Sequence, residues 1–157
     1  RAVIQTTVAT IRDATGRAPR GWLGPGLTES PNTLGLLKDA GMEYVCDWVN
    51  DDQPYRMRNG LYSIPYTLEL NDLPVIGTAG HTAAAFQQAI CDAFDTLYRE
   101  GAEQGRVMCI ALHPFISGTP GRIGYLQKAL EYVCGHPNVW RATGSEIIDW
   151  YRQGMAG

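Results

Sequence analysis

Apolar residues recur every three or four positions between Ala2 and Ala14. Val3, Ile4, Val8 and Ile11 share one face, and the spacing predicts a helix that Gly16 stops. The periodicity then lapses in GRAPRGWLGPGLTES, where four glycines and two prolines predict an ordered loop around a short strand. Ser30-Pro31 opens a second helix, Ser as cap and Pro in the first turn, which runs to about Ala40 and ends at Gly41. MEYVCDW, residues 42–48, predicts a short strand. VNDDQPYRMRNG is a polar loop ending in the tight-turn pair Asn59-Gly60, and LYSIPYTLEL alternates like a strand broken at Pro65.

The second half is more regular. Phe86, Ile90, Phe94 and Leu97 form one stripe of a long helix from about Thr82 to Ala102. RVMCIALH, residues 106–113, is an apolar run that predicts the clearest buried strand, ending on His113. Thr119-Pro120 predicts the start of a helix carrying Leu126, Leu130 and Val133. NVWRA predicts a last strand, and Thr143 with Glu146 forms a capping box that opens the final helix. Strands alternating with helices imply an α/β fold, with a mostly parallel sheet covered by helices. In such sheets chemistry gathers at the carboxyl ends of the strands, where His113 and Asp47 both fall.

The chain has 157 residues, enough for a single domain over 1–157 with its own core. A net charge of -3 without any Lys/Arg cluster argues against a nucleic-acid surface or an anionic membrane, and no transmembrane run is present. Cys46, Cys91, Cys109 and Cys134 form no Cys-x-x-Cys pair and sit in apolar or helical settings, which predicts free buried thiols. The compartment is left open.

His113 ends its strand with Pro114 fixing the backbone after it, so its imidazole suits a general acid or a metal ligand; a simple strand cap is the plain alternative. Asp47, beside Trp48, could orient an imidazole, or could only accept backbone N–H bonds. Arg17 and Arg20 flank Pro19, where an arginine could pair with a catalytic carboxylate or a substrate oxygen, or lie exposed. Trp22 and Trp48 could wall a pocket for a polar substrate, or pack. His81 and His136 read as a cap and a surface residue. The three histidines show no metal-ligand spacing, and no nucleophile elbow is present.

Taken together, RAPRGWLGPGLTESPNT, EYVCDWVNDDQPY, IPYTLELND and LHPFISGTPGRI resemble the polysaccharide deacetylase superfamily. This is the NodB-homology or carbohydrate esterase 4 group, and the likeness is greatest to its allantoinase-like and peptidoglycan deacetylase branch. The resemblance spans nearly the whole chain. It implies a distorted (β/α) barrel of fewer than eight strands that hydrolyses non-peptide C–N bonds, often an N-acetyl group on a sugar. By position, Arg17-Ala18-Pro19 is similar to the motif whose arginine holds the catalytic base, with Arg20 as the other candidate. Asp47-Trp48 is similar to the motif that offers an acid and a tryptophan. Leu112-His113 is similar to the motif that provides the proton donor.

The family's aspartate base and its metal-binding Asp and His-x-x-x-His motifs have no counterpart in these residues. The resemblance therefore implies that this is the C-terminal part of such an enzyme. It would be inactive alone and completed by an upstream segment or by self-association into a homo-oligomer. It also implies a divalent metal such as zinc in the full-length enzyme, with ligands outside this chain, although some members work without metal. The expected partner is a carbohydrate or small-molecule amide. In the expected reaction His113 protonates the leaving nitrogen, Asp47 tunes that proton, Arg17 or Arg20 fixes the upstream carboxylate, and Trp22 and Trp48 shape the pocket. A non-catalytic binding domain for a sugar or small amide is the alternative.

Overall fold

Gly16 ends the first helix as its sequence predicts. The helix, α1, spans Ala2–Thr15, and Gly16 takes the left-handed conformation (φ +73°) while its N–H bonds Arg12 O at 2.8 Å. The computed structural model describes residues 1–155, and within them the chain divides into two compact units. One comprises Arg1–Pro65 and the residues from Ala142 on; the other is Tyr66–Arg141.

The first unit holds the sheet. Its strands are short: β1 is Gly21–Trp22, β2 Tyr44–Val45, β3 Tyr55–Arg56 and β4 Tyr62–Ser63. They lie in the order β1-β2-β4-β3, with β2 parallel to both β1 and β4, while β3 is antiparallel to β4. The sheet is parallel-dominated and does not close. Helix α2, Thr33–Asp39, crosses between β1 and β2, as a parallel connection requires. The turn at Asn59-Gly60 joins β3 to β4 with Gly60 at φ +88°. Register is tight at Gly21, which faces Tyr44: a Cβ there would lie 2.0 Å from the Tyr44 ring, so the position admits only glycine without movement.

Beneath the sheet, Ile4, Leu37, Met42, Val45 and Leu61 form the core of this unit, with Trp22 packed against it. Each fully buried aliphatic side chain there contributes about 1.5–3 kcal/mol. The last helix, α6, spans Gly144–Met155 and opens with the expected capping box: Thr143 N–H donates to Glu146 Oε2 at 2.7 Å, and Glu146 N–H donates back to Thr143 Oγ1 at 3.3 Å.

The second unit is helical around one parallel bridge. Its members are a six-residue wide turn of helix at Leu73–Thr78, then α3 at Ala83–Gly101, α4 at Pro114–Ser117 and α5 at Ile123–Cys134. Thr82 caps α3 by accepting from Ala85 N–H at 3.1 Å. Phe86, Ile90 and Phe94 of α3 meet Leu126, Ala129 and Val133 of α5 in a core that also takes in Leu70, Ile76 and Ile116.

Four expectations need correction here. RVMCIALH is not a ladder strand. It makes a single parallel bridge, Asn71 with Ala111, and its side chains Met108 and Ile110 are only partly buried against the core. An apolar run supplies the side chains of a strand, but the ladder needs partners of equal length, and here only Leu70 O and Asp72 N–H engage Ala111. NVWRA forms no strand either; Asn138 is left-handed (φ +61°) and Trp140 is exposed. The helix expected at Thr119-Pro120 starts at Ile123: a turn closed by Arg122 and Ile123 N–H on Thr119 O precedes it, and Arg122 (φ -123°, ψ -31°) lies outside helical geometry. None of the four cysteines is in a disulfide, but they are not the buried thiols expected: Cys46, Cys91 and Cys109 are partly buried and Cys134 is exposed.

Candidate functional site

His113 sits at the foot of α4, in extended conformation (φ -116°, ψ 120°), with Pro114 as the first helical residue. Its carbonyl receives the N–H groups of Ile116 and Ser117 at 2.8 and 3.1 Å, so the turn that follows is fixed to it. Gly118 closes that turn: a Cβ there would lie 2.4 Å from Pro114 O.

The partner of the imidazole is Asp72. Asn71 positions it, bonding Tyr66 Oη through Nδ2 at 3.0 Å and accepting from Leu73 N–H at 2.9 Å, while the Asp72 backbone N–H reaches Ala111 O. The Asp72 side chain is 0% exposed. It receives His113 N–H at 3.1 and 2.9 Å, His113 Nδ1 at 2.7 Å and Ser117 Oγ–H at 2.7 Å. Burial pushes this carboxyl upward, but the His113 backbone N–H, the Ser117 hydroxyl and the His113 ring together hold it below the ordinary carboxylate range. An ionised Asp72 therefore fixes Nδ1 as the donor nitrogen and leaves Nε2 as the ring atom that can exchange a proton outward. The imidazole side chain is 33% exposed, which gives Nε2 access to solvent or substrate.

This corrects the assignment of Asp47. The carboxylate on His113 is Asp72; Asp47 lies in the first unit, buried, and accepts the Gly24 N–H at 2.6 Å through Oδ1. Its Oδ2, like Glu29 Oε1, is buried without a hydrogen-bond partner. Burial raises the pKa of Asp47. Burial, followed by the neighbouring Asp47 charge, raises that of Glu29. Each carboxyl therefore carries a cost when ionised in the folded state. Trp48 remains half-exposed, and its indole also bonds Glu29.

Arg20 is committed to a structural ion network. It donates to Glu43 at 2.6 and 3.0 Å and to Asp149 at 2.9 and 2.5 Å, and Arg152 joins Glu43 from the same helix as Asp149. These bonds raise the Arg20 pKa and lower those of Glu43 and Asp149. Arg17 is exposed, its backbone N–H bonding Thr15 Oγ1. Trp22 packs on the core rather than standing free as a wall. Of the residues singled out in the sequence, Asp47 and Trp48 are thus gathered around Glu29, while Arg20 and Trp22 serve the fold of the same unit.

Asp72, Ser117 and Glu29 were missed. The sequence signal for Asp72 was weak: the acid follows the alternating segment only after Asn71, whereas Asp47 falls within its predicted strand. Ser117 lies four residues beyond His113, on the same face of a short helix, a spacing that brings both to one partner. Among the described residues, no three His, Cys, Asp or Glu side chains cluster to hold a metal ion. The Asp72 oxygens are each taken by donors, so this pair does not fit as a metal site.

No family model matches the chain. It is 35% identical over 92% of its length to a Schizosaccharomyces pombe protein described as a polysaccharide deacetylase, and covers 51% of it. It is 28% identical over 94% of its length to the peptidoglycan deacetylase of Helicobacter pylori, and covers 61% of that protein. The solved structure of Puue allantoinase superposes with a TM-score of 0.82 at 33% identity, over 90% of this chain and 49% of that one. The chain spans about half to three fifths of the length of the curated relatives it matches.

Proposed function

We propose that this chain, a member of the polysaccharide deacetylase superfamily in sequence and fold, carries the proton-donating part of a hydrolase for non-peptide C–N bonds. The substrate class we favour is an N-acylated sugar, from which the enzyme removes the acyl group. The observation that carries this reading is the bond from His113 Nδ1 to the buried Asp72 at 2.7 Å.

The chemistry follows from that geometry. Water attacks the amide carbonyl and the C–N bond breaks, so the departing nitrogen needs a proton. An imidazolium at His113 supplies it from Nε2. Asp72 stabilises the positive charge at Nδ1 and keeps the ring turned outward, while Ser117 and the His113 backbone keep Asp72 in place. After transfer the neutral ring retains its proton on Nδ1, bonded to Asp72. The group that activates the water belongs, by the family resemblance, to motifs these residues do not contain. The neighbouring acids Asp47 and Glu29 and the half-exposed Trp48 form the second polar feature of the chain. We assign them to shaping the loop from Gly24 to Glu29. A non-catalytic binding role is not favoured, because the matched proteins carry the names of hydrolases.

The test is acyl release by the full-length protein from N-acetylglucosamine oligomers, measured beside hydrolysis of a ureido substrate such as allantoin. Turnover of the sugar supports the reading. Turnover of neither compound contradicts it.

A further inference from the structure

Phe115 follows His113 and Pro114, and it is 72% exposed, far more than the buried Ile116 and Ser117 beside it on the same short helix. Its ring meets the His113 ring edge to face, with centroids 5.5 Å apart and planes at 66°. The backbone beneath it is held at several points. Ile116 and Ser117 bond His113 O, Ser117 Oγ bonds Asp72, and Arg122 Nη1 bonds Ile116 O at 3.2 Å. Leu112 and Leu73, the chain neighbours of His113 and Asp72, are both exposed as well. The proton donor thus has a large aromatic ring packed edge to face beside it, open to solvent and carried on a held backbone, within a run of apolar side chains.

We infer that Phe115 is the stacking platform for the pyranose ring that bears the scissile amide, and so a specificity-determining residue for sugars over small amides. The inference rests on the proposed deacetylation of an N-acylated sugar. A pyranose presents a face of axial C–H bonds, and such weakly positive hydrogens pack on the negative face of an aromatic ring. The occupant must lie beside Nε2 to receive its proton, and a ring-bearing substrate held there covers the exposed face of Phe115. A substrate without a ring has nothing to lay against it. A phenylalanine has only two side-chain torsions to immobilise, which keeps the entropic loss on binding small.

The experiment compares wild-type, Phe115→Ala, Phe115→Trp and His113→Ala forms of the full-length protein, each with an N-acetylglucosamine oligomer and with a small ring-free amide. Phe115→Ala raises KM for the oligomer about tenfold, as loss of part of an aromatic contact predicts, and leaves kcat within about twofold. Its effect on the ring-free amide is several-fold smaller than on the oligomer, and Phe115→Trp restores the oligomer KM. An unchanged KM for the oligomer in Phe115→Ala, alongside loss of turnover in His113→Ala, overturns the platform and leaves the proposed reaction standing. An equal loss on both substrates also overturns it. No turnover of the oligomer by the wild type overturns the reaction and the platform together.

Discussion

Asp72 holds His113 by two separate groups, the backbone N–H and ring Nδ1, and the carboxylate doing so is fully buried. Backbone and ring are thereby referenced to one side chain: the backbone bonds fix where Asp72 sits relative to His113, and the imidazole cannot swing without losing its Nδ1 bond. Ser117 adds a third donor from the next turn. Asp72→Asn keeps the shape but puts an amide where Nδ1–H needs an acceptor or a charge. It is expected to lower kcat of the full-length enzyme about a hundredfold, with KM little changed, as for loss of general-acid support. Steady-state kinetics on the variant check this.

The same carboxyl predicts a pH dependence of stability. Its folded pKa lies below the usual carboxylate value of 3.8 that it has unfolded. At pH above that value the unfolded and folded forms are both ionised, and the full stabilisation is present. As pH falls below it, the unfolded carboxyl takes up its proton first, and the advantage is lost through the lower, folded pKa. The difference in melting temperature between wild type and Asp72→Asn is therefore expected to shrink as pH falls from about 5 toward 2. Thermal melts across that range measure it.

Glu29 predicts the opposite sign. Its folded pKa is raised above the ordinary 4.5 by burial and by Asp47, so ionising it at neutral pH costs folded-state stability. Glu29→Gln removes that cost and supplies an N–H toward Asp47. The variant is expected to melt higher than wild type at pH 8. The gain shrinks as pH falls through the raised pKa toward 4.5, below which the carboxyl is neutral in both states. Paired melts at pH 8 and pH 4 check it.

Gly21 is a test of the sheet. A Cβ at 2.0 Å from the Tyr44 ring forces β1 and β2 apart or turns the ring out. Gly21→Ala is expected to cost about 1–3 kcal/mol in denaturant unfolding. Gly35, whose Cβ would meet nothing within 4 Å, is the control: Gly35→Ala within α2 is expected to be neutral or slightly stabilising.

The long helices α1, α3 and α6 were legible because each carries its own evidence, whereas the short helical turns at Leu73–Thr78 and Pro114–Ser117 were not, and α5 begins later than Thr119-Pro120 suggests. Phe86, Ile90 and Phe94 repeat at helical spacing, Thr82 and Thr143 cap, and Gly16 stops. The strands were less so, since a strand exists only with partners. RVMCIALH has the right side chains and one bridge, while Tyr55–Arg56 pairs inside a stretch that reads as polar loop. At the site, His113 stood out because an apolar run stops on it. Asp72 did not, because what makes it special is tertiary: Asn71 and Ala111 turn it toward a residue forty-one positions away. Asp47 had the clearer local signature and a different partner. Arg20 looked available in its Gly-rich loop, yet Glu43 and Asp149 reach it from distant segments.

The most direct test of the proposed reaction is kcat of the full-length enzyme carrying His113→Ala, assayed on an N-acetylglucosamine oligomer with folding confirmed by melting temperature. Loss of the imidazole is expected to lower kcat about a hundredfold or more while the protein stays folded. A folded His113→Ala variant with wild-type kcat would contradict the account.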